Sequence, residues 1–136
     1  MKWLTAVVFL FSVVALQSSG LESDDALRQR FVGTWWGEED VGLESYSYGE
    51  KTYRSDGTAS GFIDDWSEGK RERTVFRSTW KIEDGHLISH VVFTNMPEFL
   101  PPKEDIVDKI VSIDHRKMVL IAEIDHHEYS RYRKSP

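Results

Sequence analysis

The sequence predicts an all-β protein: about eight strands in an antiparallel up-and-down barrel, preceded by a short N-terminal helix. Three observations carry this. From Gly33 onward, apolar and polar residues alternate with a period of two. Two Asp-Gly dipeptides, Asp56-Gly57 and Asp84-Gly85, separate alternating runs as hairpin turns do. Consecutive turns are too short for crossovers, so each strand pairs with its neighbour in sequence. A chain of 136 residues, 40% hydrophobic, fits one domain with its own core. The absence of cysteine excludes disulfides, thiolate metal sites and cysteine nucleophiles. A formal charge of −6 argues against a general nucleic-acid binder, which needs a basic face.

The first twenty residues read as a signal peptide. Met1-Lys2 is a basic start, Trp3 to Leu16 is a weakly polar-to-apolar run, and Gln17-Ser18-Ser19-Gly20 is a small, polar exit. The run is shorter than the roughly 20 apolar residues of a spanning helix. The expected organisation is a signal peptide over 1–20, cleaved after Gly20, and a barrel domain over 21–136. The mature protein is expected in the periplasm or outside the cell, with no membrane attachment after cleavage. Lacking disulfides, it is held by packing alone, and its many large rings either fill a core or line a pocket.

The helix comes first. Ser23 or Asp24 can cap it, Asp24 and Asp25 suit the positive end of its dipole, and residues 26–30 favour helix. Leu27 and Phe31, four apart, share a face that can dock. Gly33–Asp40 is the first strand. Tyr46-Ser47-Tyr48 alternates, and after the turn at 55–58 Phe62, Asp64 and Trp66 share one face of the returning strand. In the next strand Thr74, Phe76, Ser78, Trp80 and Ile82 alternate with basic and polar residues, the pattern of a sheet packed on one side. The return after Asp84-Gly85 carries Leu87, Ser89, Val91 and Phe93. Strands over 106–114 and 117–124 follow, and the last runs over 128–133. Closing such a meander removes its edges, and a β-sandwich is the alternative.

The connection from Asn95 to Asp105 breaks the rhythm. Three prolines, Pro97, Pro101 and Pro102, prevent regular strand pairing, while Met96, Phe99 and Leu100 are apolar. Such a loop is either a lid or a plug for one barrel end.

The segment Phe31-Val32-Gly33-Thr34-Trp35-Trp36-Gly37, a short helix leading into Gly-x-Trp on the first strand, resembles the lipocalins and the wider calycin superfamily. Tyr53 to Gly61 is similar to the second hairpin of small lipocalin-like domains of exported bacterial proteins. The resemblance implies that Trp35 closes one barrel end against Arg131 or Arg133 of the last strand. It also implies a small apolar or amphipathic ligand. The chain is shorter than a full lipocalin, and its first turn, Val41-Gly42-Leu43-Glu44, is too short for that family's large lid. Avidins begin with a similar strand, but no set of biotin-contacting residues is present.

The candidate ligand pocket therefore comprises Tyr48, Phe62, Trp66, Phe76, Trp80 and Phe93 from strand faces assigned inward, with Met96, Phe99 and Leu100 from the loop. Plain core packing is the competing reading, because an eight-stranded barrel is either filled by side chains or just wide enough for one small ligand. Asp64 lies between Phe62 and Trp66, so on an internal face its charge needs a partner or a raised pKa. No metal or cofactor is expected: His126 and His127 in Asp125-His126-His127-Glu128 point to opposite faces of a strand. The sequence has no Gly-x-Ser-x-Gly elbow, phosphate loop or His-Glu-x-x-His motif, so no catalytic residue is assigned. Two functions stay open, a small-molecule binding protein and a protein-interaction or inhibitor module with a filled barrel. A catalytic barrel ranks third.

Overall fold

The computed structural model describes residues 22–42 and 45–135, and the expected signal segment 1–20 lies outside them. Helix α1 (Asp24–Phe31) is followed by β1 (Gly33–Gly42), β2 (Ser45–Tyr53), β3 (Thr58–Ser67), β4 (Lys70–Glu83), β5 (His86–Thr94), β6 (Asp105–Ile113), β7 (Lys117–Ala122) and β8 (Glu128–Arg133). Each strand pairs antiparallel with the next, and β8 pairs back onto β1 through Trp35↔Arg133 and Trp36↔Tyr132. The result is a closed eight-stranded up-and-down barrel, which rules out the two-sheet sandwich.

Helix α1 starts where the sequence offers a cap. The Ser23 hydroxyl accepts from the Ala26 N–H at 3.3 Å, acids occupy the first turn and arginines the last, each suited to the dipole at its end. The Asp24 carboxylate reaches across to accept from the N–H groups of Asp84 (2.9 Å) and Gly85 (3.0 Å) in the β4–β5 turn. Arg28 donates to the Ser55 carbonyl at 2.9 Å and lies 4.7 Å over the Trp80 ring. The helix is thus pinned to two hairpin turns.

Its buried face, Leu27 and Phe31, seals that end of the barrel. Phe31 packs against Tyr53 and Trp80, with ring centroids 5.4 and 6.1 Å away, and Leu87, Ile110, Met118 and Leu120 complete the cluster. Full burial of aliphatic side chains of this size stabilises by about 1.5–3 kcal/mol each. The Trp80 indole N–H is shared between the Arg54 and Thr58 carbonyls, both at 3.0 Å, so its polar atom is satisfied inside the core.

Register decides which side chains face inward. Trp35 pairs with Lys51, Lys51 with Gly61, and Gly61 with Phe76, all on the inner face. The outer face then carries Trp36, Glu50, Phe62 and Val75. By the same alternation Tyr48, Phe62 and Trp66 lie outside, which corrects the inward assignment made from their aromatic character. The inner positions between them are occupied by Gly49, Gly61 and Ile63, and small residues there leave room in the lumen.

A bulge produces the second correction. Arg77 pairs with Phe93 but Ser78 pairs with Val91, so Val92 is an extra residue and the alternation of β5 reverses beyond it. Leu87, Ser89 and Val91 are buried, whereas Phe93 is 44% exposed under the Arg77 guanidinium, 5.0 Å from its ring. A similar irregularity in β6 skips Val111 between Ile110 and Ser112.

Candidate functional site

Helix α1 and the β2–β3, β4–β5 and β6–β7 turns gather at one end of the barrel. Strand alternation therefore puts the β5–β6 connection at the other. Between the sealed end and this connection lies a cavity of about 240 Å³. Trp35, Met118 and Leu120 line it toward the sealed end, and Val91, Leu100 and Ile106 are among the apolar residues of its wall.

The cavity also receives charged and polar groups: Lys51, Ser78, Ser89, Asp108, Tyr129 and Arg131. The Lys51 Nζ donates to the Ser89 Oγ at 3.1 Å and stands 4.7 Å over the Tyr53 ring and 5.9 Å from that of Phe76. Burial lowers its pKa to about 8, with Arg131 adding to the effect and Asp108 opposing it. Asp108 is buried and accepts a hydrogen bond from the Tyr129 hydroxyl. Burial pushes its carboxyl up, against the pull of Tyr129, Lys51 and Arg131. Burial likewise raises the Tyr53 and Tyr129 phenols, and Asp108 raises both further.

Arg131 donates from Nη1 to the Ser130 carbonyl at 2.9 Å, with its guanidinium 4.4 Å from the Tyr129 ring. It fits because residue 37 is glycine: a Cβ there would stand 2.6 Å from both its Cδ and its Nη1. Neither Lys51 nor Arg131 forms an ion pair with a carboxylate among the described residues. The buried Ser78 Oγ has no hydrogen-bond partner among them.

Of the residues expected to line a pocket, Phe76 and Leu100 face this cavity directly. Phe62 contributes to its wall, but its ring lies outside, 6.3 Å from that of Tyr48 and 4.1 Å beneath the Arg73 guanidinium. Tyr48 stacks on Trp36 at 6.1 Å and Trp66 pairs with Tyr46 at 5.4 Å, forming an outer aromatic array with Tyr132. Trp80 belongs to the core under α1 rather than to the cavity wall.

In the β5–β6 connection, Asn95 holds on to β4 by accepting from the Val75 N–H (2.8 Å) and donating to the Arg73 carbonyl (3.1 Å). The Met96 carbonyl accepts from the N–H groups of Phe99 (3.0 Å) and Leu100 (2.9 Å). This tight turn sends Leu100 to the cavity and leaves Phe99 56% exposed, while Met96 is half-buried away from the lining. Arg133, not Arg131, covers Trp35, at 4.3 Å.

Asp64 sits on the outer wall, yet it is buried because its neighbours cover it. Arg73 binds both its oxygens, at 2.6 and 2.7 Å, and holds its carboxyl below the usual range. A groove of about 450 Å³ runs beside this pair between Glu50, Arg77 and Phe93, but it is more open than the cavity inside the barrel. Among the described residues no three His, Asp or Glu side chains come together as a metal-ligand set.

The sequence reading passed over Lys51, Ser78, Ser89, Asp108 and Tyr129. Ser78 and Ser89 did fall on faces assigned inward, and the alternation Ile106, Asp108, Ile110 was the available signal for a buried acid. Compared with known proteins, the chain matches no family model and no curated protein.

Proposed function

We propose that this protein is an exported, lipocalin-like binding protein that holds one small amphipathic molecule inside its barrel. The observation that carries this reading is the 240 Å³ cavity in a barrel sealed at one end, with apolar walls and a few converging polar groups. Its volume lies below the roughly 300–1,000 Å³ of pockets for drug-sized ligands, so the guest is no larger than a medium-chain or single-ring compound. The Gly-x-Trp strand start and the helix that seals the barrel support the kinship with lipocalins. The basic start, apolar run and small-residue exit of residues 1–20 support export.

Native mass spectrometry of the purified protein tests the reading. A bound mass of a few hundred daltons at most, lost on activation, is the expected result. A protein that carries nothing and accepts nothing on titration would return weight to an interaction module working through its surface. For that second reading the supporting observation is the exposed Phe99 in the β5–β6 connection.

A further inference from the structure

Among the described residues, the cavity lining includes two cations, Lys51 and Arg131, and two acids. Glu50 turns its carboxylate to the outer face, where it accepts from Lys134, which leaves Asp108 as the carboxylate inside. Asp108 is already engaged by the Tyr129 hydroxyl, and neither Lys51 nor Arg131 has an ion-pair partner among the described residues. Cations inside a barrel are costly unless something compensates them. Among the described residues Lys51 meets a serine hydroxyl and two ring faces, with Asp108 acting on it from beyond ion-pair distance. Arg131 gives one hydrogen bond to a carbonyl, which uses little of a donor fork shaped for carboxylates. The Ser78 hydroxyl, buried and unpartnered among the described residues, lines the same cavity. Three donors without strong acceptors thus converge on one space, and Phe76, Val91, Leu100 and Ile106 give that space apolar walls.

We propose that the cavity binds the carboxylate of a small amphipathic acid, with Lys51 and Arg131 as its charge partners, Ser78 as a further donor, and the apolar walls around its tail. This rests on the reading of the barrel as a small-molecule binder and adds the charge of the guest. A carboxylate supplies what the site lacks, an acceptor for all three donors and a counter-charge for the second cation. A cationic guest would compete with Tyr129 for Asp108 and would face both Lys51 and Arg131.

Three probes with one tail and different heads decide the matter: decanoate, decanol and decylamine, titrated into the purified protein by calorimetry at neutral pH and low salt. Decanoate is expected to bind at least tenfold more tightly than decanol, with decylamine weakest. Lys51→Met and Arg131→Met are each expected to bring decanoate down toward the affinity of decanol, whose retained binding reports an intact lumen. If decanol binds as tightly as decanoate, or decylamine binds best, the carboxylate proposal is overturned while the binding-protein reading stands. If none of the three binds, both readings fall. The comparison in the unaltered protein decides the charge of the guest even if a variant does not fold.

Discussion

The guanidinium of Arg133 lies 4.3 Å over the indole of Trp35 and ties the barrel to the start of its own first strand. Its Nη1 donates to the Val32 carbonyl (2.9 Å), its Nη2 to Arg30 (2.7 Å) and its Nε to His115 (2.8 Å). The Trp35 indole N–H in turn donates to the Phe31 carbonyl at 2.8 Å. Gly33 makes this possible twice over, through a φ of +128° and because a Cβ there would overlap Arg133 Nη1.

Truncating Trp35 to alanine should therefore cost about 3–5 kcal/mol in urea unfolding, as for other buried tryptophans. Arg133→Met should cost less than Trp35→Ala but more than the roughly 0.5–2 kcal/mol of the ring contact alone, since three carbonyls lose their donor. Trp36→Ala, on the half-buried outer face, should cost least of the three. Similar losses for Trp35 and Trp36 would contradict the inner and outer faces of β1.

The Asp64–Arg73 pair should leave an acid signature. Because Arg73 depresses the Asp64 pKa, the pair's contribution is complete above the unfolded carboxylate value and is lost as pH falls through the depressed one. The stability gap between the unaltered protein and Arg73→Met should be widest near neutrality and shrink on acidification. A gap that does not change with pH would mean that the ion pair contributes nothing.

Lys51 should act at the alkaline side, with the opposite sign. Its folded pKa of about 8 lies below the unfolded value of about 10.4, so between them the unfolded chain binds the extra proton and stability rises with pH. Asp108 and Arg131 both act on this lysine, and the raised phenols of Tyr53 and Tyr129 oppose the rise only above about pH 10. Thermal unfolding from about pH 8 to about pH 10 should show the increase in the unaltered protein and lose it in Lys51→Met. Over the same range decanoate affinity should fall, because the ammonium charge is being removed. Affinity that stays constant would separate Lys51 from the guest.

Leu100 and Phe99 should behave differently although they are adjacent. Leu100 lines the cavity and Phe99 is exposed, so Leu100→Ala should weaken decanoate several-fold while Phe99→Ala leaves it unchanged. The reverse order in the same titration would mean that the loop closes with its other face.

The architecture was legible in the sequence because it depends on local signals. Asp-Gly turns, a capped helix and period-two alternation each act over a few residues, and short turns leave little freedom in pairing. The lumen was not legible to the same degree, since which face of a strand turns inward depends on register between strands. Tyr48, Phe62 and Trp66 look like core by composition, yet the pairing of Lys51 with Trp35 turns them outward, where Tyr48 packs on Phe62 and Trp66 on Tyr46. Phe93 was misassigned because one extra residue, Val92, reverses a strand without any mark that alternation alone reveals. The buried charges escaped because lysine and aspartate are ordinarily read as surface residues.

The seam between β1 and β8 has a consequence for the order of folding. Every other strand pair joins neighbours in sequence, but the seam is registered at only two residue pairs and is braced by bonds such as Arg133 to Val32, 101 positions apart. Local hairpins close quickly, whereas a contact that spans nearly the whole chain must wait for the loop entropy between its ends to be overcome. Until β8 is made, the free edge of β1 remains open to pairing with another chain. Chains cut short before Tyr129 should accordingly form hairpins but aggregate, which light scattering during refolding of such fragments would reveal. The six residues of β8 are the ones that turn an open sheet into a vessel.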